Sequence, residues 1–314
     1  MTRVDPDELD LSHLHPGARD HARRPDEERI RRVRAERWIG YPRAAAALRR
    51  LDELWDWPSR QRMPNLLIAG PTNNGKSMLI EKFRRTVDAR VAAMPEDRLT
   101  PPIPLVVMQM PSEPSVTRFY AALLDACGSP DPVGGQARPR AVDLERTAMW
   151  WLGGNGLRVL VIDELHNMLA GNASRRREFL NLLRQLGNNL RVPLVGVGTH
   201  DAYLAIRSDD QLENRFQPVV LPRWEADSDE TRSLLASFAA SFPLRRRSDI
   251  AQPEMAEYLI ARSEGTIGEL AALLSSAAAL AISSGDESIN AETLAATEYL
   301  GPSERRRVFE RALG

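Results

Sequence analysis

The run Gly70-Pro71-Thr72-Asn73-Asn74-Gly75-Lys76-Ser77 has the spacing G-x-x-x-x-G-K-[ST]. It constrains the fold more than any other part of the chain. A loop of this kind wraps a phosphate in backbone N–H groups, and its glycines let those groups turn inward. Lys76 then reaches the β- and γ-phosphate oxygens of ATP, and the Ser77 hydroxyl binds Mg²⁺. The flanks fit this use. Leu66-Leu67-Ile68-Ala69 is an apolar run that reads as a buried strand. Met78-Leu79-Ile80-Glu81-Lys82-Phe83 reads as a helix whose N-terminus faces the phosphates. Of 42 basic residues only Lys76 and Lys82 are lysine, so one of the two lysines stands at the motif.

The chain has 314 residues, enough for one large domain or two modest ones, and is 43% hydrophobic, enough for a real core. A net charge of −1 gives no global basic field, so any nucleic-acid binding must use local patches. Cys127 is the only cysteine, which excludes disulfides within the chain and cysteine-based zinc sites. The 5 histidines show no metal spacing. No apolar run approaches ~20 residues, and the N-terminus has no apolar signal core. The expectation is a cytoplasmic, soluble protein with no membrane partner.

Residues 1–24 are polar, with Pro6, Pro16 and Gly17, and read as a flexible arm. Pro25-Asp26-Glu27-Glu28, followed by Arg29, Arg31, Arg32, Arg34 and Arg37, reads as a helix with acids in its first turn and arginines later. The expectation is a solvated face, with a partner or DNA contact as the alternative. Ala44 to Trp55 carries Leu48, Leu51, Leu54 and Trp55 on one helical stripe. Strands are expected at 65–69, 103–109, 158–162, 193–198 and 218–221, alternating with helices, which argues a parallel sheet covered on both faces. From 227 to 285 the pattern is helical, with Gly265 and Gly285 marking helix ends. Ser303 to Gly314 reads as an Arg-rich tail.

A second apolar strand, Val159-Leu160-Val161-Ile162, ends in Asp163-Glu164. Acids at the end of a parallel strand emerge beside a phosphate loop. Asp163 is expected to hold Mg²⁺, directly or through water, and Glu164 to polarise the attacking water as general base. Leu194-Val195-Gly196-Val197-Gly198 ends in Thr199, which in this geometry orients the water or the γ-phosphate. Arg215 precedes the last strand, where it could project from the subunit surface.

These elements, in this order, resemble an AAA+ ATPase. The stretches Ile39-Gly40-Tyr41-Pro42-Arg43-Ala44, Arg62-Met63-Pro64-Asn65-Leu66-Leu67, Asp163-Glu164-Leu165-His166-Asn167-Met168-Leu169-Ala170-Gly171 and Gln211-Leu212-Glu213-Asn214-Arg215-Phe216 resemble the TniB family, the transposition ATPases related to TnsC. The resemblance covers roughly residues 35 to 300. It implies an α/β AAA+ P-loop fold: a five-stranded parallel sheet between helices, with a small C-terminal helical lid. The division expected is a flexible, partly helical arm (1–37), an ATPase base domain (38–223), a lid (224–300) and a tail (301–314).

The resemblance also implies an ATP-dependent DNA-binding regulator of transposition. Such a protein oligomerises on duplex DNA as a ring or helical filament, and recruits or activates a DDE transposase, often with a targeting protein of the TniQ kind. Residue by residue, Lys76 and Ser77 match Walker A, Asp163 and Glu164 match Walker B, and Thr199 matches sensor 1. Arg215 matches the finger that reaches a neighbour's nucleotide. Ile39, Tyr41 and Pro42 match the segment beside the adenine. One departure stands out: Gly265-Thr266-Ile267-Gly268-Glu269-Leu270 has no arginine where many AAA+ lids carry the sensor 2 cation.

For DNA, Arg118 and the triplet Arg175-Arg176-Arg177 are the candidate contacts. Arginines at a helix start oppose its dipole and seek an anionic partner or solvent. Lacking a base-reading motif, they are expected to hold phosphates without sequence preference. Arg245-Arg246-Arg247 and Arg305-Arg306-Arg307 read as solvated faces. Two other readings stay open on the residues alone: a replication initiator or helicase loader, and a nucleotide-switched signalling scaffold without DNA.

Overall fold

The computed structural model describes residues 10–94, 102–113, 115–129, 139–170 and 172–313. Pro6, Pro114, Gly171 and Gly314 lie outside the described residues. The chain divides into two compact units. One comprises Ala46–Thr72 and Lys76–Leu221; the other comprises Met1–Ala45, Asn73–Gly75 and Pro222–Gly314.

The first unit is built on strands β1 (Asn65–Ala69), β2 (Leu105–Gln109), β3 (Val159–Asp163), β4 (Leu194–Gly198) and β5 (Phe216–Val220). Their order is β2-β3-β4-β1-β5 and every pairing is parallel. The expected strands fall on these five, with ends displaced by at most two residues. Strands β1, β3 and β4 are buried along their whole length. That is why they read as continuous apolar runs rather than as alternation. Strand β5 lies at the sheet edge, is largely exposed and contains Pro218, a residue with no N–H to give to a further strand. Helices pack Leu123, Phe179, Leu183 and Leu186 against Leu160, Ile162 and Leu194 of the sheet.

Asn65 ties the N-terminal edge of the sheet together. Its N–H donates to the Arg215 carbonyl (2.9 Å), and its Oδ1 accepts from the Leu194 N–H (3.0 Å). Gly196 in β4 leaves room for Leu165, since a Cβ there would come within 2.6 Å of Leu165 Cδ2 and the leucine would have to shift.

The second unit is helical. Helices Asp229–Ser241, Pro253–Ser263 and Ile267–Ser284 bury Leu234, Phe238, Leu259, Leu270, Leu274 and Ala277 around one core. The described part of the segment read as an arm, from residue 10 on, folds into this unit. Helix Pro16–Ala22 joins Leu11 and Leu14 through Ala18 and Ala22 in a small apolar cluster, and the His15 N–H donates to the Ala240 carbonyl (2.9 Å). Its stripe is made mostly of alanine, which leaves little hydropathy signal. Residues read as a tail form helix Pro302–Leu313, none of whose residues is buried.

Among the described residues, Ile267–Ser284 alone is long and apolar enough to cross a membrane by length and composition. Leu270, Leu273, Leu274, Ala277, Ala278, Ala281 and Ile282 of that helix are buried in the helical core.

The arginine-rich helix is Asp26–Arg34, shorter than expected, and its arginines are not all solvated. Arg31, Arg32 and Arg34 are exposed, but Arg29 is fully buried. Its Nη1 donates to Glu287 Oε1 (2.8 Å) and Asp26 Oδ1 (2.9 Å), its Nη2 pairs with Glu287 Oε2, and its Nε donates to the Pro243 carbonyl (3.1 Å). Arg37 lies over the Phe242 ring at 4.6 Å, and burial, with Arg32 nearby, pulls its pKa down to about 10. Arg245 is also anchored: its Nε donates to the Ala22 carbonyl (3.1 Å) and its N–H to Glu287 Oε2 (3.1 Å). The pairing partner, not the arginine, was invisible in the sequence, because Glu287 lies 258 residues away.

Arg29→Ala is expected to cost about 3–5 kcal/mol, because it leaves the Glu287 carboxylate inside the unit without its main partner. Urea denaturation of the full chain, followed by circular dichroism, measures it. A loss under about 1 kcal/mol, the worth of an exposed pair, would contradict the burial argument.

Candidate nucleotide site

The sheet unit places most of the expected site at the C-terminal ends of its central strands. The phosphate loop leaves β1 at Gly70, whose N–H donates to the Gly198 carbonyl (3.1 Å) at the end of β4. A Cβ at Gly70 would lie 2.5 Å from the Leu221 carbonyl oxygen, so only glycine passes there. Lys76 opens helix Lys76–Ala92 and is buried; its Nζ donates to the carbonyls of Gly70 (2.9 Å) and Pro71 (2.6 Å). Burial lowers the Lys76 pKa, and the nearby carboxylates of Glu164 and Asp163 oppose that shift. Met78 is half-buried in the first turn of the same helix, and Thr72 is exposed.

Ser77 and Asp163 come together. The Ser77 hydroxyl donates to Asp163 Oδ2 at 3.0 Å, while Asp163 Oδ1 accepts from the Glu164 N–H at 2.8 Å. Mg²⁺ keeps several waters and needs only one or two protein oxygens beside substrate phosphates. A hydroxyl and a carboxylate oxygen converging beside Lys76 fit such an ion. Among the described residues no group of three or more His, Cys, Asp or Glu is placed to hold a metal.

Glu164 follows β3 directly and is in a left-handed conformation (φ 53°). Non-glycine residues rarely adopt this, and such strain collects at functional positions. His166 follows in the tight turn Leu165–Leu169, with its Nε2 3.1 Å from Glu164 Oε2. Thr199 stands at the end of β4, and its Oγ1 is buried without a hydrogen-bond partner.

Arg215 is not brought to this site. It immediately precedes β5, its carbonyl is tied to the first residue of β1, and its Nη1 donates to Asn188 Oδ1 (2.9 Å) on the exposed surface. The phosphate loop leaves the other end of β1. The two therefore lie at opposite ends of a five-residue strand, about 16 Å apart along its axis at roughly 3.3 Å per residue.

The helical unit carries the residues expected beside the adenine. Tyr41 meets Trp224 edge-on at 4.9 Å, and burial, with Glu230 nearby, pushes its pKa up to about 12. Arg43 pairs with Glu230 and lies over Trp224 at 5.5 Å. Ile39 is half-buried against the helical core, and Pro42 is exposed at the start of helix Pro42–Trp55.

Asn73, Asn74 and Gly75, the tip of the phosphate loop, belong to this unit. A helix N-terminus leaves its first N–H groups without intrahelical partners, and in helix Ile267–Ser284 these groups find the loop. The Ile267 N–H donates to Asn74 Oδ1 (3.2 Å) and the Gly268 N–H to the Asn73 carbonyl (3.0 Å). Asn74 Nδ2 donates to the Pro222 carbonyl (2.9 Å). A Cβ at Gly268 would come within 1.9 Å of Asn73 Oδ1. Glu269 completes the network, accepting from Asn73 Nδ2 (3.2 Å), Tyr299 Oη (2.7 Å) and Arg305 Nη2 (2.6 Å). Burial works against its charge, yet Arg305, Tyr299 and Asn73 together hold its carboxyl below the usual range. So Arg305 is not simply solvated, and the stretch 265–270, which lacks an arginine, meets the loop tip through the backbone donors of Ile267 and Gly268. The spacing motif leaves the Asn pair as arbitrary residues, which is why this role was missed.

The DNA candidates are exposed. Arg118 is in the first turn of helix Val116–Ala126 and pairs with Glu113 Oε2 at 2.9 Å. Arg175, Arg176 and Arg177 lie in the first turn of helix Ala173–Leu190, capped by Asn172.

A parallel sheet in this order, with a phosphate loop after β1 and paired acids at the end of β3, defines an AAA+ P-loop ATPase. Solved structures share the fold. The ORC2 protein of Aeropyrum pernix, solved as ADPNP–ADP complexes, has 18% identity and a TM-score of 0.57 over 84% of this chain and 70% of its own. The ORC1 protein of the same organism, in complex with DNA, has 19% identity and a TM-score of 0.57 over 89% of this chain and 69% of its own. Cdc6p from Pyrobaculum aerophilum has 15% identity and a TM-score of 0.54 over 83% and 68%. The chaperone ClpB of Meiothermus ruber is 32% identical over 98 residues, 31% of this chain but only 11% of the ClpB chain. Within that class, residues 29–226 match the bacterial TniB protein family, and the chain belongs to it.

Proposed function

We propose that this protein is an ATP-dependent, DNA-binding regulator of transposition. It assembles on duplex DNA with ATP at the boundary between copies, and there recruits or activates a DDE transposase, with a TniQ-like protein as a further partner. The observation that carries the reading is the position of Arg215. In a chain whose own strand ends gather Lys76, Ser77, Asp163 and Glu164, this arginine stands at the opposite sheet edge. That position, away from the chain's own phosphate loop, supports a role for Arg215 at a neighbour's nucleotide. Membership of the TniB family supports the setting in transposition. An AAA+ protein of similar fold, ORC1, has been solved in complex with DNA.

In this reading Lys76 and the loop N–H groups hold the phosphates, Ser77 and Asp163 hold Mg²⁺, Glu164 draws the proton from the attacking water, and Thr199 orients it. Ile39, Tyr41 and Pro42 flank the adenine. The sheet unit acts as the ATPase base and the C-terminal helices as its lid. With no arginine at the sensor 2 position, hydrolysis is slow and serves as a timing switch.

Arg118 and Arg175–Arg177 hold DNA phosphates. The Arg118–Glu113 pair is exposed on both sides and worth little, so a phosphate can take the arginine over. Arg118→Ala is expected to weaken duplex binding while sparing nucleotide binding. The slope of log affinity against log salt should flatten by about one per subunit bound. Fluorescence anisotropy over a salt series measures this. Unchanged binding by Arg118→Ala and by a variant lacking arginines 175–177 would remove both from the DNA interface.

A further inference from the structure

Glu164 does not stand alone at the end of β3. His166, two residues on, returns its ring to the carboxylate, with Nε2 3.1 Å from Oε2. The ring is lodged rather than free. A Cβ built at Gly198 would touch His166 Nδ1 and its backbone nitrogen, each at 3.5 Å, so the imidazole lies against the end of β4. Its Nδ1 is buried and has no hydrogen-bond partner. A neutral imidazole has one donor and one acceptor nitrogen. Nε2 faces a carboxylate that can only accept when ionised, so Nε2 carries the proton and Nδ1 is the buried acceptor. The backbone at Glu164 is left-handed, and the turn that follows is fixed by Asn167 Nδ2 donating to the Met110 carbonyl (3.0 Å). Glu164 itself is half-exposed, so without a fixed partner its carboxylate is free to change rotamer.

We propose that His166 is a positioning residue for Glu164, donating from Nε2 to the carboxylate and fixing where it meets the attacking water. This rests on the reading of Glu164 as the general base. The role needs a donor at the Nε2 position, and volume alone does not supply it. Glutamine can place an amide N–H there; leucine cannot.

The test measures ATP turnover and ATP affinity of the full-length protein with duplex DNA for His166→Leu, His166→Gln, Glu164→Gln and the double variant Glu164→Gln/His166→Leu. His166→Leu is expected to lose about 10- to 100-fold in kcat, the scale of a misplaced reacting group, with ATP affinity and thermal midpoint unchanged. His166→Gln should recover most of the loss. In the Glu164→Gln background, His166→Leu should add nothing, since there is no carboxylate left to position. Wild-type turnover by His166→Leu, with Glu164→Gln inactive, overturns this proposal alone. Equal losses in Leu and Gln variants with a lowered midpoint assign His166 to packing and overturn it as well. Normal turnover by Glu164→Gln overturns the general-base reading and this proposal with it.

Discussion

Glu164→Gln is expected to bind ATP as the wild type does and to lose about 10²–10⁴-fold in turnover, the usual worth of a general base. The side chain keeps its shape and loses only the ability to take a proton. Nucleotide binding rests on other groups. Lys76 is held by the Gly70 and Pro71 carbonyls, and Ser77 is paired with Asp163 at 3.0 Å. None of these hydrogen bonds uses the Glu164 carboxylate, so grip and hydrolysis should separate. With ATP bound and not turned over, assemblies on DNA should be long-lived. Lys76→Ala is the complementary change: it removes the phosphate grip and should abolish binding. Normal turnover by Glu164→Gln would remove the residue from the mechanism.

Arg215→Ala should also bind ATP normally yet hydrolyse poorly. A finger arginine is worth about 10³–10⁵ in rate in the best cases, and a slow switch uses less. In the proposed reading the effect acts between copies, since Arg215 adjoins the start of β1 and the phosphate loop follows its end. Mixing Arg215→Ala with Lys76→Ala tests the geometry. The first can hold ATP and the second can offer the arginine, so a mixture of two inactive proteins should regain turnover. No recovery under conditions where wild-type subunits assemble would speak against a shared site.

The sheet was legible because its central strands are buried on both faces. Leu66–Ala69 and Val159–Ile162 leave no polar face to confuse the reading. The phosphate loop and the acids after β3 were legible because their chemistry fixes residue type and spacing. What escaped depends on partners distant in sequence. Arg29 reads as one more surface arginine until Glu287 meets it. Asn73 and Asn74 occupy positions where the motif accepts any residue, yet they cap a helix that begins almost 200 residues later. His166 carries no signal of its own until the turn at Glu164 brings its ring back to the carboxylate. The helical half of the N-terminal cluster is spelled in alanine, Ala18 and Ala22, and gave little hydropathy contrast.

The central claim is that ATP gates assembly on DNA. A subunit with net charge −1 has little long-range pull on a polyanion. Copies joined through ATP and Arg215 would repeat the same local arginines along the phosphates, so affinity should rise steeply with assembly. The direct measurement is titration of wild-type protein onto labelled duplex DNA at low salt, with a non-hydrolysable ATP analogue and Mg²⁺, with ADP, or without nucleotide. The account predicts tight, sequence-tolerant binding by a large oligomer with the analogue, and much weaker binding in the other two states. No affinity for duplex DNA with the analogue, or the same affinity in all three states, would contradict it.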